Sequence, residues 1–307
     1  MSCISVNALS KSYGSFKVLD SISFDVDYGK VFGFLGPNGA GKTTTIKILT
    51  TLIKPTEGNA KILGYDLLKD EQKIRSRIGI VQQKISLENN LSVLKSLELY
   101  GMLWNVQKRI REEKIEEVLD VFGLREIKNS KTEELSIGQR RRLQVAREFI
   151  HDMDLLFLDE PTVGMDPNAR RILLDYIKKK VSDGLTVFFT THIMEEAEYL
   201  CDEIAIINKG RIVTIDSPQS LRKRYGSIKM VELRLKEPFD RNVLNYDGIE
   251  IDNNIVRIVS DNAEEMLAEI VRRLHDNGIY IESLHVDSPT LEEIFLSIID
   301  ERYEKGN

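Results

Sequence analysis

A glycine-rich turn carries the clearest chemistry in the sequence. Residues 36–43 read Gly-Pro-Asn-Gly-Ala-Gly-Lys-Thr and stand between an apolar strand pattern and a helical pattern; we call them the phosphate loop. The glycines let the backbone curl so that several N–H groups converge on phosphate oxygens. In such a loop Lys42 reaches the β- and γ-phosphates, and the hydroxyl of Thr43 ligates Mg²⁺. The predicted nucleotide-binding residues here are Gly36, Pro37, Asn38, Gly39, Ala40, Gly41, Lys42, Thr43 and Thr44.

Two adjacent acids, Asp159 and Glu160, end the buried-strand pattern LLFLDE. Ligands of open α/β sheets bind at the carboxyl ends of the strands, so this strand end belongs near the phosphates. Neighbouring side chains of a strand point to opposite faces, but Pro161 ends this one and allows the acids to divide roles. We assign Asp159 to Mg²⁺ and Glu160 to polarising the attacking water as general base. The alternative, two solvated acids at a strand end, is disfavoured by the presence of the phosphate loop.

A second pattern typical of anion binding begins at Leu135, where the sequence reads LSIGQRRRLQVAREFI. Ser136 and Gly138 lead into a basic amphipathic helix, whose N-terminal N–H groups and dipole favour an anion. Ser136 alone also fits a simple helix N-cap. Because the phosphate loop already supplies a phosphate site, a second one in the same chain needs an explanation.

The elements around these motifs alternate strand and helix, which predicts a parallel sheet covered by helices. Before the phosphate loop, apolar and polar residues alternate between Gly and Asp turns and predict an antiparallel β region. Residues 86–150 show helical periodicity without strand signals and predict an inserted helical subdomain. We therefore expect an α/β domain over residues 1–217, a turn-rich linker over 218–227 and a small α+β domain over 228–307.

Composition narrows the class of protein. The 307 residues include 49 acids and 43 Lys and Arg, a balance that argues against a nucleic-acid binder driven by charge. No apolar run reaches the ~18–20 residues that cross a bilayer, and the polar N-terminus lacks a signal-peptide core. Cys3 and Cys201 are too few for a disulfide framework. These features predict a soluble intracellular protein that needs a partner for any role at a membrane.

The phosphate loop, LSIGQ and LLFLDE, in this order and spacing, resemble the nucleotide-binding subunit of ABC transporters over about residues 2–217. The resemblance implies a P-loop NTPase fold of ABC type, with a mixed sheet core, an antiparallel β region and an inserted helical subdomain. It also implies ATP and Mg²⁺ as cofactors and ATP hydrolysis as the activity.

The same resemblance implies roles for residues outside the phosphate loop. Tyr13 matches the aromatic residue that lies against the adenine ring. Gln83 matches the glutamine that ligates Mg²⁺ and links hydrolysis to the membrane partner; Gln82 stands where the family often has proline, so either glutamine fits, and register favours Gln83. Asp166 of TVGMDP matches an acid that works across the dimer interface. His192 matches the switch histidine that contacts the γ-phosphate, although a lone histidine is more often structural.

The second anion pattern resembles the family's signature motif, which usually reads LSGGQ. In that family two subunits bind head to tail, and each signature caps the nucleotide held on the partner's phosphate loop. The resemblance therefore implies that Ser136, Gly138 and Gln139 contact the ATP of a second subunit, either a copy of this chain or a close relative. Ile137 departs from the usual glycine and places a side chain where most members have none.

Three features resemble exporter-type members of the family: TVGMDP, the arginine-rich helix after the signature, and the ending SPTLEEIFL, in which Ser288 and Pro289 suit the start of a helix. The ending resembles prokaryotic drug- and antibiotic-resistance exporter ATPases, whose multi-span permease is a separate polypeptide. This implies a place on the cytoplasmic face of the cell membrane. The rival hypotheses are a soluble ABC-type ATPase associated with ribosomes or nucleic acid, and a regulatory ATPase whose tail senses a small molecule.

Overall fold

The computed structural model describes residues 2–225, 229–237, 239, 243–244, 249–260, 263–287 and 290–304. The chain divides into two compact units, Met1–Ile215 and Asp216–Asn307. Over the described ranges, no helix combines the length and the apolar composition needed to cross a membrane.

The first unit contains two sheets, the phosphate loop, the acids at 159–160 and LSIGQ. Its strands are β1 (Ser2–Tyr13), β2 (Phe16–Asp27), β3 (Val31–Leu35), β4 (Glu57–Ile62), β5 (Tyr65–Asp66), β6 (Ile78–Val81), β7 (Leu155–Asp159), β8 (Thr186–Thr190), β9 (Glu203–Asn208) and β10 (Arg211–Asp216). Its helices are α1 (Lys42–Leu49), α2 (Glu71–Arg75), α3 (Val93–Leu103), α4 (Lys108–Val121), α5 (Ile137–Glu148), α6 (Pro167–Ser182) and α7 (Met194–Leu200).

A six-stranded sheet forms the centre of this unit, with the strand order β10-β9-β3-β8-β7-β6. β3 pairs in parallel with β8 and β9, and β7 pairs in parallel with β6 and β8. β3, β7 and β8 are buried along their whole length, which explains their continuous apolar sequences. The carboxyl ends of these strands meet at one edge, and the phosphate loop and the two acids follow them there. The predicted parallel sheet is confirmed.

The predicted antiparallel β region is a second sheet with the order β2-β1-β4-β5. Aromatic side chains pack this sheet against the central sheet. Phe24 of β2 stacks on Phe32 of β3 with ring centroids 5.3 Å apart, and lies 6.0 Å from Phe188 of β8. Each such pair contributes about 0.5–1.5 kcal/mol beyond the burial of its area. These rings hold the two sheets together beside the phosphate loop.

The helices α3, α4 and α5 fall within residues 86–150, and α4 shows a clear apolar stripe. In α4 the stripe is Ile115, Val118 and Leu119, which are buried while the charged residues face solvent. Ser92 caps α3, because its hydroxyl accepts a hydrogen bond of 3.3 Å from the N–H of Lys95. A short 3₁₀ turn at 132–134 precedes α5. The motif LSIGQ follows this turn directly and forms the start of α5.

The second unit is a small α+β domain built on one antiparallel sheet. Its strands are β11 (Lys229–Leu235), β12 (Ile249–Asp252), β13 (Ile255–Ser260) and β14 (Ile281–Asp287), in the order β12-β13-β11-β14. Its helices are α8 (Pro218–Tyr225), α9 (Ala263–Asp276) and α10 (Leu291–Glu304). Ile270 and Leu274 of α9 pack on a buried apolar face of the sheet formed by Val231, Leu233, Val256 and Ile258. The predicted α+β fold of this region is confirmed.

The prediction of a turn-rich linker is wrong over residues 218–225, which form α8. The hydroxyl of Ser217 accepts a hydrogen bond of 3.1 Å from the N–H of Ser220, and Pro218 takes the first helical position. The polar residues of SPQS are thus a helix start signal rather than a loop signal. The corresponding helix start predicted at Ser288 and Pro289 lies outside the described residues.

Candidate functional site

A cavity of about 470 Å³ opens at the carboxyl edge of the central sheet, beside the phosphate loop. It brings together side chains from the loop, from α1, from β2 and from the ends of β6 and β7. Its lining residues are Phe16, Val18, Asn38, Gly39, Gly41, Lys42, Thr43, Thr44, Gln83 and Glu160. Of the predicted catalytic residues, Gln83 and Glu160 face this space.

Two glycines of the phosphate loop are required by close packing. A Cβ at Gly36 would lie 2.3 Å from the carbonyl oxygen of Ile207. Gly41 has a φ of +113°, and a Cβ there would lie 2.5 Å from the side chain of Leu19. Because the neighbouring strands approach this closely, only glycine fits at these two positions of the loop.

Lys42 begins α1 at the base of the cavity and is 6% exposed. Its ammonium donates hydrogen bonds to the carbonyl oxygens of Gly36 (2.6 Å) and Pro37 (3.2 Å). Burial lowers the pKa of Lys42, and the carboxylates of Glu160 and Asp159 oppose that shift. A buried cation at the N-terminus of a helix gives this end of the cavity a positive potential that suits phosphate.

Asp159 is buried and lies next to the loop hydroxyl. Its Oδ2 accepts a hydrogen bond of 2.9 Å from Thr43, and its Oδ1 accepts one of 2.8 Å from Thr190. A hydroxyl and a carboxylate oxygen side by side are hard oxygen donors of the kind that Mg²⁺ prefers. No group of three or more His, Cys, Asp or Glu able to hold a metal occurs in the part of the chain that the structure describes. The donors at 43 and 159 thus fit an ion that completes its shell with phosphate oxygens and water.

Glu160 sits where the strand turns away, and its backbone is left-handed with a φ of 48°. Its N–H donates to the carbonyl and to the hydroxyl oxygen of Thr190, both at 3.1 Å. Its Oε2 accepts a hydrogen bond of 3.1 Å from the side-chain amide of Gln83 and lies 3.5 Å from Nδ1 of His192. This turn is the reason that two consecutive acids, 159 and 160, both serve one edge of the sheet. It also brings Glu160 next to Gln83 and His192, whose roles rested only on the family resemblance.

The residues of LSIGQ lie at the start of α5 and outside the lining of this cavity. The hydroxyl of Ser136 accepts a hydrogen bond from the N–H of Gln139 (3.2 Å), and the side chain of Gln139 accepts one from the N–H of Ser136 (2.8 Å). This is a capping box. A Cβ at Gly138 would lie 2.8 Å from the carbonyl oxygen of Gly164, while Ile137 is 68% exposed. The motif therefore presents its serine and its helix N-terminus outward.

Asp166 also lies outside the cavity lining and caps α6. Its carboxylate accepts a hydrogen bond of 2.9 Å from the N–H of Ala169, and Pro167 occupies the first helical position. This backbone hydrogen bond lowers the pKa of Asp166. Asp166 therefore caps a helix of its own chain, and its role at a dimer interface stays a prediction.

The aromatic residue predicted to lie against adenine is not in the cavity lining. Tyr13 ends β1, is 52% exposed and pairs in register with Phe16, the first residue of β2. Phe16 and Val18 line the cavity instead, and neither is among the residues predicted from the sequence. The signal that could have found Phe16 is its pairing with Tyr13 across the hairpin, because directly opposed residues of an antiparallel pair share a face.

A buried carboxylate, Glu196, connects the segments around the cavity and was also missed. Its Oε2 accepts hydrogen bonds from the hydroxyls of Thr162 (3.0 Å) and Thr191 (2.8 Å), and its Oε1 lies 3.2 Å from Nε of Arg170. Thr162 follows the acids at the end of β7, and Thr191 precedes His192. Glu196 therefore fixes the backbone that carries Glu160 relative to the backbone that carries His192.

Comparison with protein families agrees with this geometry. Residues 19–163 match the ABC transporter family, and residues 217–299 match the C-terminal domain of DrrA1-3-like ATP-binding proteins. The second match covers the small α+β domain.

Several curated proteins are similar to the chain. The probable multidrug ABC transporter ATP-binding protein YbhF of Escherichia coli is 38% identical over 80% of this chain, which spans only 42% of that protein. The daunorubicin resistance ATP-binding protein DrrA3 of Streptomyces coeruleorubidus is 34% identical over 96% of this chain and 95% of its own length. The linearmycin resistance ATP-binding protein LnrL of Bacillus subtilis is 33% identical over 94% and 96%.

Solved structures show the same fold. An ATP-binding subunit of an ABC transporter superposes with a TM-score of 0.68, at 28% identity, over 73% of this chain and 93% of its own. The ATP-binding cassette MJ0796, in a dimeric post-hydrolysis state bound to ADP and Pi, superposes with a TM-score of 0.65, at 27% identity, over 70% and 98%.

Proposed function

The chain belongs to the ATP-binding subunits of ABC transporters, of the drug- and antibiotic-resistance exporter type, and we propose that it hydrolyses ATP between two head-to-tail subunits to power export through a separate membrane permease. One observation carries the proposal. Lys42, Thr43, Gln83 and Glu160 come from distant parts of the sequence and line one cavity at the positive end of α1.

In this proposal the phosphate loop wraps the triphosphate with its N–H groups, and Lys42 exchanges its carbonyl partners for β- and γ-phosphate oxygens. Thr43, Asp159 and Gln83 would hold Mg²⁺, and the bound ion would neutralise charge on the β- and γ-phosphates. Tyr13 and Phe16 offer the aromatic face for adenine.

Glu160 polarises the attacking water. As the water oxygen bonds to the γ-phosphorus, a water proton moves to the Glu160 carboxylate, and the bond from the γ-phosphorus to the bridging oxygen breaks. The amide of Gln83 holds the carboxylate by its Oε2 and leaves the other oxygen for the water. His192, 3.5 Å from Glu160, contacts the γ-phosphate and stabilises the charge that develops there.

The signature residues of one subunit cap the nucleotide of the other. Ser136, Gly138 and Gln139 lie outside the cavity lining of their own chain. They offer a hydroxyl and the N-terminus of α5. These groups would donate to the γ-phosphate held on the partner's phosphate loop. Asp166 acts across the same interface. ATP then favours the closed dimer, and hydrolysis releases it, which is a ligand-driven population shift.

The proposed partners are a second copy of this chain, or a close relative, and a multi-span permease at the cytoplasmic face of the cell membrane. The relatives named for daunorubicin and linearmycin resistance, and one named for Nod factor export in Rhizobium, support export as the direction of transport. Co-purification from membranes with a multi-span polypeptide is expected. Sedimentation of the chain with ribosomes or DNA instead would contradict the transport role.

The decisive experiment replaces the proposed base. Glu160→Gln should lower the rate of ATP hydrolysis about 10²–10⁴-fold, since a positioned base contributes that much, while ATP affinity is kept. A nucleotide-bound dimer should accumulate and be visible by gel filtration. Glu195→Gln, which changes an exposed acid on α7, is the matched control and should behave as the unaltered protein. Turnover of Glu160→Gln at the unaltered rate would remove the assignment.

A further inference from the structure

Arg141 is the most deeply buried charged side chain near the site, and its environment is unusual. It lies in α5, five residues after Ser136, and is 1% exposed. Burial lowers its pKa, while the nearby carboxylates of Asp159 and Glu160 oppose that shift. Burying a guanidinium is costly unless its donors are satisfied, so the partners of these donors indicate what the residue does.

The guanidinium of Arg141 is satisfied by backbone carbonyls from two separate segments. One segment is 82–83, which carries Gln83, and the other is 159–161, which carries both acids. Its hydrogen bonds to these segments run from Nε to Pro161 O (3.0 Å), from Nη1 to Gln82 O (2.7 Å) and Gln83 O (3.2 Å), and from Nη2 to Asp159 O (3.3 Å) and Glu160 O. Within α5, Nη1 also donates to the side-chain Oε1 of Gln144 (2.7 Å).

These bonds hold the Gln83–Glu160 pair from behind. The peptide groups of Glu160 are fixed on both sides, because its N–H donates to Thr190 and its carbonyl accepts from Arg141. The left-handed backbone of Glu160 needs such a clamp, since that conformation costs an L-residue on the order of 1 kcal/mol. Gln144, one turn after Arg141 on α5, adds hydrogen bonds of 3.2 Å to the carbonyls of Gln82 and Lys84.

We propose that Arg141 is a positioning residue, which holds Gln83 and Glu160 in the geometry for hydrolysis and ties them to the helix that carries the signature. α5 begins at the residues proposed to cap the nucleotide of the partner subunit, and through Arg141 it contacts the Gln83–Glu160 pair of its own chain. The same helix therefore connects the nucleotide on the partner's phosphate loop with the residues that hydrolyse the chain's own nucleotide. This inference rests on the proposed function. It adds a residue that touches neither nucleotide nor water and acts only through the backbone.

The test uses the full chain with Arg141→Met, which keeps the length of the side chain and removes its donors. We expect kcat for ATP to fall about 10–100-fold, as for other small displacements of catalytic groups. The dissociation constant of a fluorescent ATP analogue should stay within about twofold, because no contact to nucleotide is lost. Arg142→Met is the matched control: Arg142 is the next residue of α5 and donates to the carbonyls of Phe122 (2.9 Å) and Gly123 (3.4 Å), away from the cavity. Its kcat should be unchanged.

A double variant separates positioning from general damage. If Arg141 acts through Glu160, adding Arg141→Met to Glu160→Gln should leave the residual rate unchanged within about twofold, because residues that act as a unit are not additive. A further multiplicative loss in the double variant would overturn the proposal. So would a kcat of Arg141→Met equal to that of Arg142→Met.

A conservative variant covers the case in which Arg141→Met fails to bind the analogue and is therefore misfolded. Arg141→Lys keeps the charge but cannot span both segments, and it should bind ATP normally with kcat reduced about tenfold. An unreduced kcat would overturn the proposal. Failure of the proposed function is distinguishable, because it would appear as unaltered turnover in Glu160→Gln alone, before Arg141 is changed.

Discussion

Gln83 donates from its side-chain Nε2 to Oε2 of Glu160 over 3.1 Å, although the two residues are 77 positions apart in sequence. The bond joins the loop after β6 to the end of β7. It also separates the two consecutive glutamines, because the neighbouring Gln82 contributes only its backbone carbonyl, to Arg141 and Gln144. The sequence left open which of the two glutamines is active, and their different contacts mean that substitutions at 82 and 83 should have different effects on ATP hydrolysis.

Gln83→Ala should lower kcat for ATP about tenfold or more, because the carboxylate of Glu160 loses the amide that orients it. Gln82→Ala keeps the backbone carbonyl and should lower kcat far less. Steady-state ATPase assays on both variants decide the matter. An equal loss in the two, or a larger loss for Gln82→Ala, would assign the role to the other glutamine or to neither.

Ser136→Leu should leave ATP binding by the monomer intact and weaken ATP-driven dimerisation. The change also removes the helix cap, which costs about 1 kcal/mol. Ser136→Ala removes the cap without adding bulk and is the matched control. Gel filtration of both variants with ATP, in the Glu160→Gln background, should show less dimer for Ser136→Leu than for Ser136→Ala, because the alanine variant loses the cap and the hydroxyl donor but adds no bulk. A full dimer peak for Ser136→Leu would exclude a close contact at this position.

Tyr13→Ala and Phe16→Ala should each weaken ATP binding, with the larger loss for Phe16, because its ring lines the cavity. Stacking of a base on an aromatic ring is worth about 1–3 kcal/mol, or roughly a 5- to 150-fold change in dissociation constant. Tyr28→Ala, a 44% exposed tyrosine beyond the other end of β2, should bind normally. Titration with a fluorescent ATP analogue measures all three. Unchanged affinity in both hairpin variants would mean that neither ring contacts adenine.

Glu148 makes stability depend on pH. It is buried at the end of α5, where its Oε2 accepts hydrogen bonds from the hydroxyl of Tyr100 (2.8 Å) and the N–H of Ile80 (3.1 Å), beside Arg147. Burial raises the pKa of Glu148 to about 7. Below an unfolded-state pKa of about 4.3 both states hold the proton, so there is no penalty. Between that value and about 7 the unfolded chain loses its proton first, and the free energy of unfolding falls as pH rises.

Glu148→Gln should remove this slope, because a glutamine oxygen accepts the same two hydrogen bonds without a charge. The free energy of unfolding of the variant, relative to the unaltered protein, should therefore increase between pH 5 and 7, by about 2 kcal/mol. Urea unfolding at several pH values measures it. Glu113→Gln, an exposed position on α4, should show a constant difference. A constant difference for Glu148→Gln as well would contradict the assignment.

The sequence predicted those parts of the molecule that local patterns encode. The phosphate loop, the buried strands β3, β7 and β8, and the helical stretch before α5 each follow from glycine spacing or from apolar periodicity. The linker prediction failed over 218–225 because serine and proline begin helices as readily as they form turns.

The missed residues depend on tertiary contacts. Phe16 enters the cavity through the register of a hairpin, which the sequence does not state. Arg141 stands in an arginine-rich stretch that is typical of a solvated face, and only the approach of two distant carbonyl segments makes it the buried one. The role of Glu196 could not be predicted from the sequence either, since its threonine partners lie on other loops. Such residues are found by their partners and not by their neighbours along the chain.

The left-handed backbone at Glu160 has an evolutionary consequence. Glycine would occupy that conformation without penalty, so Glu160→Gly relieves backbone strain at the same time as it deletes the proposed base. Selection for thermal stability therefore favours glycine at position 160, whereas selection for ATP turnover favours glutamate. A laboratory screen of variants for thermal tolerance alone should enrich an inactive enzyme at this position, and the same screen coupled to ATP hydrolysis should retain the acid.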